Sequence, residues 1–401
     1  MFTDVNVLVI GAGQAGLAAS HELTDASIEH VVLERDRVGS AWAHRWDSFC
    51  LVTPNHTTLL PGGAYQGDEP DGFFSREQMV AFLGDYAASF GAPVEEGVEV
   101  ESLTASDGGF TATTSSGVLR ARRVVVCTGA YQRELLPPFT SELQRTLPVV
   151  GSTLYRSPEA VPGNRVLVVG GGQTACQIAD ELQRAGREVT LAAGRAPAMP
   201  RRIGERDIFD WLWDAGFFEQ TLADMPGPMV RFAANPTVTG AHGGRDLSLR
   251  TLQADGVQLM GRLQGVEDGR LVVADDLSET VAGADDMFRQ ISGLATRVAE
   301  ERGWSVPDLP TLSSEPLTAA PTPSLNELDA VIIACGYRPD YGWIDVSHLV
   351  DVMGFPMHRD GVSVRVDGLY FLGMPWMRTR KSPLLMGVGV DAEHLVRQLA
   401  A

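Results

Sequence analysis

The sequence predicts an α/β protein built from two doubly wound units, one inserted into the other. Three observations carry this. The apolar run Val5–Ile10 leads into a glycine turn and then an amphipathic stretch, Ala15–Leu23. The same order, apolar run, glycine turn and helical stretch, recurs from Arg165 (RVLVVGGGQTACQIADELQRAG). Two further short apolar runs, Arg123–Cys127 and Ala330–Ala334, follow one unit each. Runs of this kind suit strands of a parallel sheet covered on both faces.

The 401 residues allow two or three domains, each with its own core. A hydrophobic content of 44% and a charged content of 21% are ordinary for a globular chain. The net charge of −19 argues against nucleic acid and anionic membrane surfaces as partners. No apolar stretch reaches the ~18 residues of a membrane span. The first residues enter a strand without a basic leader, so a cytoplasmic protein is expected. Cys50, Cys127, Cys176 and Cys335 form no close pair, which argues against a zinc site and against a redox disulfide of neighbouring cysteines.

In order along the chain, His30–Leu33 reads as the strand after the first helix, and residues 36–72 read as long loops. Arg76–Phe90 reads as a helix, with Met79, Phe82, Leu83 and Tyr86 at spacings of three and four. Short strands are expected near Val98–Leu103, Phe110–Thr114, Val118–Arg120 and Arg123–Cys127. Beyond the second unit, Gly204–Phe218 reads as a helix, Asp224–Arg250 as irregular, and Gly256–Val281 as short strands. Asp285–Arg302 reads as a helix and Val306–Ser324 as a linker. Leu369–Leu372 and Val390–Leu399 close the chain as strand and helix.

The glycine turns carry the chemistry. In Gly11-Ala12-Gly13-Gln14-Ala15-Gly16 the first glycine makes the turn, the second lets a pyrophosphate approach the backbone, and the third lets helix and strand pack. The helix start then offers free N–H groups to the anion. Glu34, with Arg35 behind it, closes the next strand, where a carboxylate binds a ribose diol. The second fingerprint, around Gly170, Gly172, Gln173, Thr174 and Ala175, is followed by Arg195 rather than an acid. Arg195, with Arg201 and Arg202, favours a 2′-phosphate, hence NADPH. Two dinucleotide sites imply a relay in which a nicotinamide reduces a flavin. The reading is therefore two Rossmann-like dinucleotide-binding domains, the NADPH domain inserted into the FAD domain. The expected boundaries are residues 1–155 for the first part of the FAD domain and 156–325 for the NADPH domain, with a small irregular or helical insertion around 204–300. The FAD domain resumes at 326–401.

Beyond these motifs, the chain resembles the flavin-containing and Baeyer–Villiger monooxygenases, especially their short bacterial and plant auxin-pathway-like members. The resemblance lies in residues 7–16, 38–72, 122–131 (RRVVVCTGAY), 155–182, 335–340 (CGYRPD) and 373–392. It implies that Trp42 and Trp46 line the flavin loop and that the Val100 backbone meets the adenine. It implies further that Thr128, Gly129, Gly336 and Tyr337 form two interdomain linkers. Gly373, Ser382, Leu385 and Gly387 would help bind the cofactor, the last two in the loop that lies under the flavin. Asn55, in Thr53-Pro54-Asn55, matches the loop facing the reactive ring and is the expected active-site residue. The implied activity is NADPH-dependent monooxygenation through a C4a-(hydro)peroxyflavin, with molecular oxygen and a small organic substrate as partners and no metal. One departure stands out: Gly151 occupies a position where the family carries a histidine. It keeps open an NAD(P)H-dependent flavin oxidase or reductase without oxygen insertion. A non-enzymatic redox-responsive flavoprotein is a third reading, and a disulfide reductase comes last for want of a cysteine pair.

Overall fold

In the computed structural model, residues 3–106, 108–129 and 131–400 are described. Val7, Leu8 and Val9 are completely buried, as a strand covered on both faces requires. Strand Thr3–Ile10 runs parallel to His30–Glu34 on one side and to Gly117–Val126 on the other. Val94–Glu96 extends the parallel set beyond His30–Glu34, and Leu369–Phe371 pairs parallel with Val124–Val126. Strands Val100–Ser106 and Gly109–Thr114 form an antiparallel arm with the first half of Gly117–Val126. The strands expected separately at Val118–Arg120 and Arg123–Cys127 are thus one continuous strand, half arm and half buried sheet.

The second sheet is entirely parallel. Its order is Val149–Gly151, Ala330–Ile333, Arg165–Val169, Glu188–Ala192 and Gln258–Met260. Val168, Leu191 and Ile332 are fully buried in it, each worth about 1.5–3 kcal/mol of transfer energy. This sheet draws strands from beyond the expected boundaries. Val149–Gly151 lies before residue 156 and Ala330–Ile333 after 325, yet both belong to the inserted domain. The chain crosses between the domains at two linkers, which pair antiparallel as Arg133–Glu134 with Tyr337–Arg338.

The insertion is more ordered than its composition suggests. Gly204–Phe218 is not one helix: a small hairpin, Arg202–Ile203 with Arg206–Asp207, precedes helix Ile208–Asp214. Asp207 caps that helix by accepting a hydrogen bond from the Phe209 N–H at 2.9 Å. The last helix of the insertion spans Leu277–Arg302, so residues 277–281 are helical rather than strand. Helix Arg76–Ser89 starts with a reciprocal box between Ser75 and Gln78. The final helix, Val388–Ala400, packs on helix Gln14–Asp25.

Candidate active site

Both fingerprint helices start on glycine, at Gly13 and Gly172, and neither start carries a side-chain cap. Their N-terminal N–H groups are left to an anion. At Gly11 φ is +103°, and a Cβ there would stand 2.8 Å from the Cys127 carbonyl oxygen, so only glycine makes the turn. A Cβ on Gly16 would overlap the Gly11 carbonyl oxygen, so helix and strand meet there backbone to backbone. A Cβ on Gly13 would meet nothing within 4 Å, the space a pyrophosphate needs.

Glu34 is 7% exposed at the end of its strand. Its Oε2 accepts from the Ala12 N–H at 2.8 Å, and Oε1 accepts from the Asp36 N–H and Ser40 Oγ. The carboxylate is thereby aimed beside the first fingerprint. Arg35 turns to solvent next to Asp36. Half-buried Val100 begins its strand two residues after Val98, whose N–H donates to the Glu34 carbonyl. Gln14 ties three segments together: its Oε1 accepts from Trp42 Nε1 at 3.2 Å and its Nε2 donates to the Pro383 carbonyl at 3.3 Å. Gly373 sits so close to this helix that a Cβ on it would lie 2.7 Å from the Ala15 Cβ. Leu385 is buried in the first core, and its carbonyl accepts from the Leu59 N–H. A side chain on Gly387 would overlap Lys381. The structure therefore brings together Gly11–Gly16, Glu34, Trp42, Gly373 and Leu385.

Asn55 lies in a short 3-10 turn, Asn55–Thr57, and is 4% exposed. Its N–H donates to the Gly72 carbonyl and its Nδ2 to the Glu69 carbonyl at 3.0 Å. Its Oδ1 is buried with no partner among the described residues. An unsatisfied buried acceptor costs about 1–3 kcal/mol. Such a group at a candidate site fits a ligand that donates to it.

In the second domain, half-buried Gln173 spends both ends of its amide on Val238, donating to its carbonyl at 2.7 Å and accepting from its N–H. This pins segment 228–238 near the second fingerprint, where Ala234 lies 3.9 Å from a Cβ built on Gly172. Thr174 stands half-buried in the helix's first turn, and Ala175 is fully buried near Gly170. The Arg195 carbonyl abuts Gly171 while its side chain is exposed, and Arg202 is also exposed.

Several expected site residues are placed otherwise. Arg201 is 2% exposed. Its Nε donates to Asp207 at 2.8 Å, its Nη1 to the Val52 carbonyl at 2.7 Å, and its guanidinium lies over the rings of Phe73 and Phe209. It stitches the insertion to the first domain. Trp46 is buried in the second domain's core against Tyr155 and Phe49, so it packs between the domains. Ser382 is fully buried; its hydroxyl accepts from the Arg378 and Thr379 N–H groups and donates to Asp391. It shapes the loop that carries Leu385. Thr128 and Gly129 are held by Gln132, which donates to both. The Tyr337 hydroxyl lies 3.2 Å from Ser152 Oγ, beside Gly336 in the second linker. The space beside Gly151 is taken by Glu134, with which a Cβ at 151 would collide. The Glu134 carboxylate accepts from Ser152 Oγ, Thr153 N–H and Thr153 Oγ1.

Sequence reasoning missed one constellation beside Asn55. His56 Nε2 donates to Asp210 Oδ1 at 2.9 Å, and Nδ1 donates to the Pro70 carbonyl at 3.0 Å. A cleft of about 170 Å³ opens there, lined by His56, Leu59, Phe209, Asp210 and Trp213 among others. The only signal was the position of His56 next to Asn55. Its partner is 154 residues away.

The thiols point away from disulfide chemistry. Burial pushes Cys50 and Cys335 up to about 11, Cys176 up to about 12, and Cys127 higher still. A reactive cysteine needs the opposite shift. No disulfide is formed by any of the four.

An uncapped fingerprint helix with an acid at the following strand end, and a second with an exposed arginine, define a two-dinucleotide flavoprotein oxidoreductase. Comparison with known proteins specifies this further. A family model described as pyridine nucleotide-disulphide oxidoreductase matches residues 8–203. An uncharacterized CzcO-like oxidoreductase of Geobacillus kaustophilus is 32% identical over 397 residues, covering 98% of each chain. Indole-3-pyruvate monooxygenase YUCCA1 of rice is 32% identical over 202 residues, 49% of this chain and 50% of that one. The solved flavin-containing monooxygenase of Stenotrophomonas maltophilia superposes with a TM-score of 0.68 at 22% identity, covering 100% of this chain and 99% of the other. The chain belongs to the family of CzcO-like oxidoreductases.

Proposed function

We propose that this chain binds FAD at the first fingerprint and NADPH at the second, and transfers one oxygen atom of O2 to a small organic substrate. The observation that carries the reading is Asn55 Oδ1, buried and unpartnered on a turn whose next strand, at Leu59, bonds the Leu385 segment. The residues fit the cofactors: the helix start at Gly13 is uncapped and open, and Glu34 stands where a ribose diol would bind. When bound, NADPH supplies hydride and FAD supplies the electron store that activates oxygen. The overall balance is substrate, O2, NADPH and one proton in; oxygenated substrate, NADP⁺ and water out.

The chain's own residues bind, orient and exclude water. The N–H groups after Gly13 and Gly172 hold the two pyrophosphates. Glu34 accepts from ribose hydroxyls, and Arg195 and Arg202 neutralise a 2′-phosphate. Gln14 fixes Trp42 and the Pro383 carbonyl, which would stand beside the bound flavin. Asn55 Oδ1 accepts a hydrogen bond from a ring or amide N–H at the reacting centre. Lys381, buried and paired with Glu219, closes the C-terminal loop against the insertion and keeps bulk water out.

The test is oxygen stoichiometry with amines, thioethers, indole-type acids and ketones. One substrate class should give product with one added oxygen and little peroxide. One hydrogen peroxide per NADPH with every saturating substrate would contradict the reading and leave an NADPH oxidase. The replacement of a side chain at position 151 by the Glu134 carboxylate favours that second reading, because it alters the linker at which the domains meet.

A further inference from the structure

The turn that carries Asn55 is held from two sides. From its own domain, loop 69–72 accepts four hydrogen bonds: Glu69 from Asn55 Nδ2, Pro70 from the His56 N–H and Nδ1, and Gly72 from the Asn55 N–H. From the inserted domain, Asp210 on helix Ile208–Asp214 takes His56 Nε2 at 2.9 Å. Both ring nitrogens therefore meet acceptors, an arrangement that only the charged imidazolium satisfies with two donors. The Asp210 hydrogen bond raises the His56 pKa above its usual value against the opposing pull of burial. Asp71 Oδ1 adds a second carboxylate 3.7 Å from Nδ1. On the far side, Arg206 and Arg201 face Asp210, and Asp214 in the same cleft is already paired with Arg206 and Arg302.

We propose that His56 and Asp210 are a positioning pair through which the inserted domain fixes Asn55 at the reacting centre. This rests on the reading of Asn55 given above. His56 touches no reacting atom; it acts through its neighbour in the turn. The contact spans the two domains, so it is complete only when they are docked. It is an ion pair while His56 is charged; as pH rises through the raised folded pKa the ring keeps one donor for two acceptors and the charge attraction is lost. Asn55 then keeps its own bonds to loop 69–72, while the hold from helix Ile208–Asp214 on the turn is weakened.

The experiment uses the full FAD-loaded chain as wild type, Asp210→Asn, His56→Gln and Asn55→Ala. NMR follows the His56 ring against pH, absorbance follows the oxidised flavin, and turnover gives product per NADPH. In the wild type the ring should titrate above the ordinary value of about 6.5, with a flavin spectral change at the same midpoint. Asp210→Asn should lower the ring's midpoint, abolish the matching flavin change, and cut product per NADPH roughly fivefold at neutral pH, within the range seen when a reacting geometry is slightly misplaced. His56→Gln should lose the flavin change likewise, and serves if Asp210→Asn does not retain FAD. Asn55→Ala should leave the ring's titration intact while the flavin change disappears. The pair has no positioning role if the folded Asp210→Asn and His56→Gln proteins keep the wild-type flavin response, or if Asn55→Ala keeps it. Should every protein release one peroxide per NADPH, the oxygenation reading fails, yet the ring and flavin titrations still decide this proposal.

Discussion

Three arginines within eight residues meet different fates. Arg195 is exposed beside the second fingerprint and Arg202 is exposed on the small hairpin, whereas Arg201 turns inward to Asp207 and the Val52 carbonyl. Arg195→Glu should raise the KM for NADPH at least tenfold while changing that for NADH little, because it sets a carboxylate against a 2′-phosphate; steady-state kinetics with both coenzymes check this. Arg201→Met should instead leave the coenzyme preference alone and destabilise the fold by about 3–5 kcal/mol, since Asp207 would remain buried without its partner. Thermal unfolding should register the loss as a drop of several degrees or more. The sequence showed three clustered cations but not which one faces inward. That choice is made by the small hairpin after residue 201, which brings Asp207 back to Arg201. The surroundings of Trp46 and Ser382 were hidden for a related reason. Their motif positions follow the family, but the side chains go into core and loop, and only packing decides between those and a ligand.

Among the elements, the two βαβ units were the most legible, because fully buried parallel strands impose continuous apolar runs and the fingerprints impose glycines. The start of helix Leu277–Arg302 was missed, although Asp276 and Glu279 stand at the spacing of a capping box. Asp276 does not cap the helix: its carboxylate accepts from the Arg262 N–H at 2.9 Å and holds the neighbouring loop instead. The inserted sheet took in strands on both sides of the expected boundary because pairing, not sequence position, defines it. Gly16→Ala tests the closeness of helix and strand. Its Cβ would overlap the Gly11 carbonyl, so the unit must shift at a cost of about 1–3 kcal/mol. The purified variant should carry much less FAD than the wild type, read as flavin absorbance per protein.

Across the whole molecule, the insertion grips both parts of the first domain. Arg201 bonds Val52, His56 bonds Asp210, Lys381 pairs with Glu219, and Arg231 pairs with Asp351 at 3.0 Å. Close to the last of these, burial lowers His358 to about 4, and its Nδ1 accepts from the Gly361 N–H, as a neutral ring must. The sign follows directly. The unfolded chain takes up this proton near the ordinary value of about 6.5 and the folded chain only near 4, so stability is lost as pH falls between the two. Denaturant unfolding from pH 7 to 4 should show that loss, and His358→Gln should flatten the part due to this ring.

These contacts join the two domains, and an anaerobic titration of the FAD-loaded protein with NADPH tests most directly whether the two proposed dinucleotide sites work together. One equivalent of NADPH should bleach the flavin absorbance completely, and the same amount of NADH should do so more slowly. A flavin that stays oxidised under excess NADPH would contradict the account, because no hydride would then pass from the second fingerprint to the first.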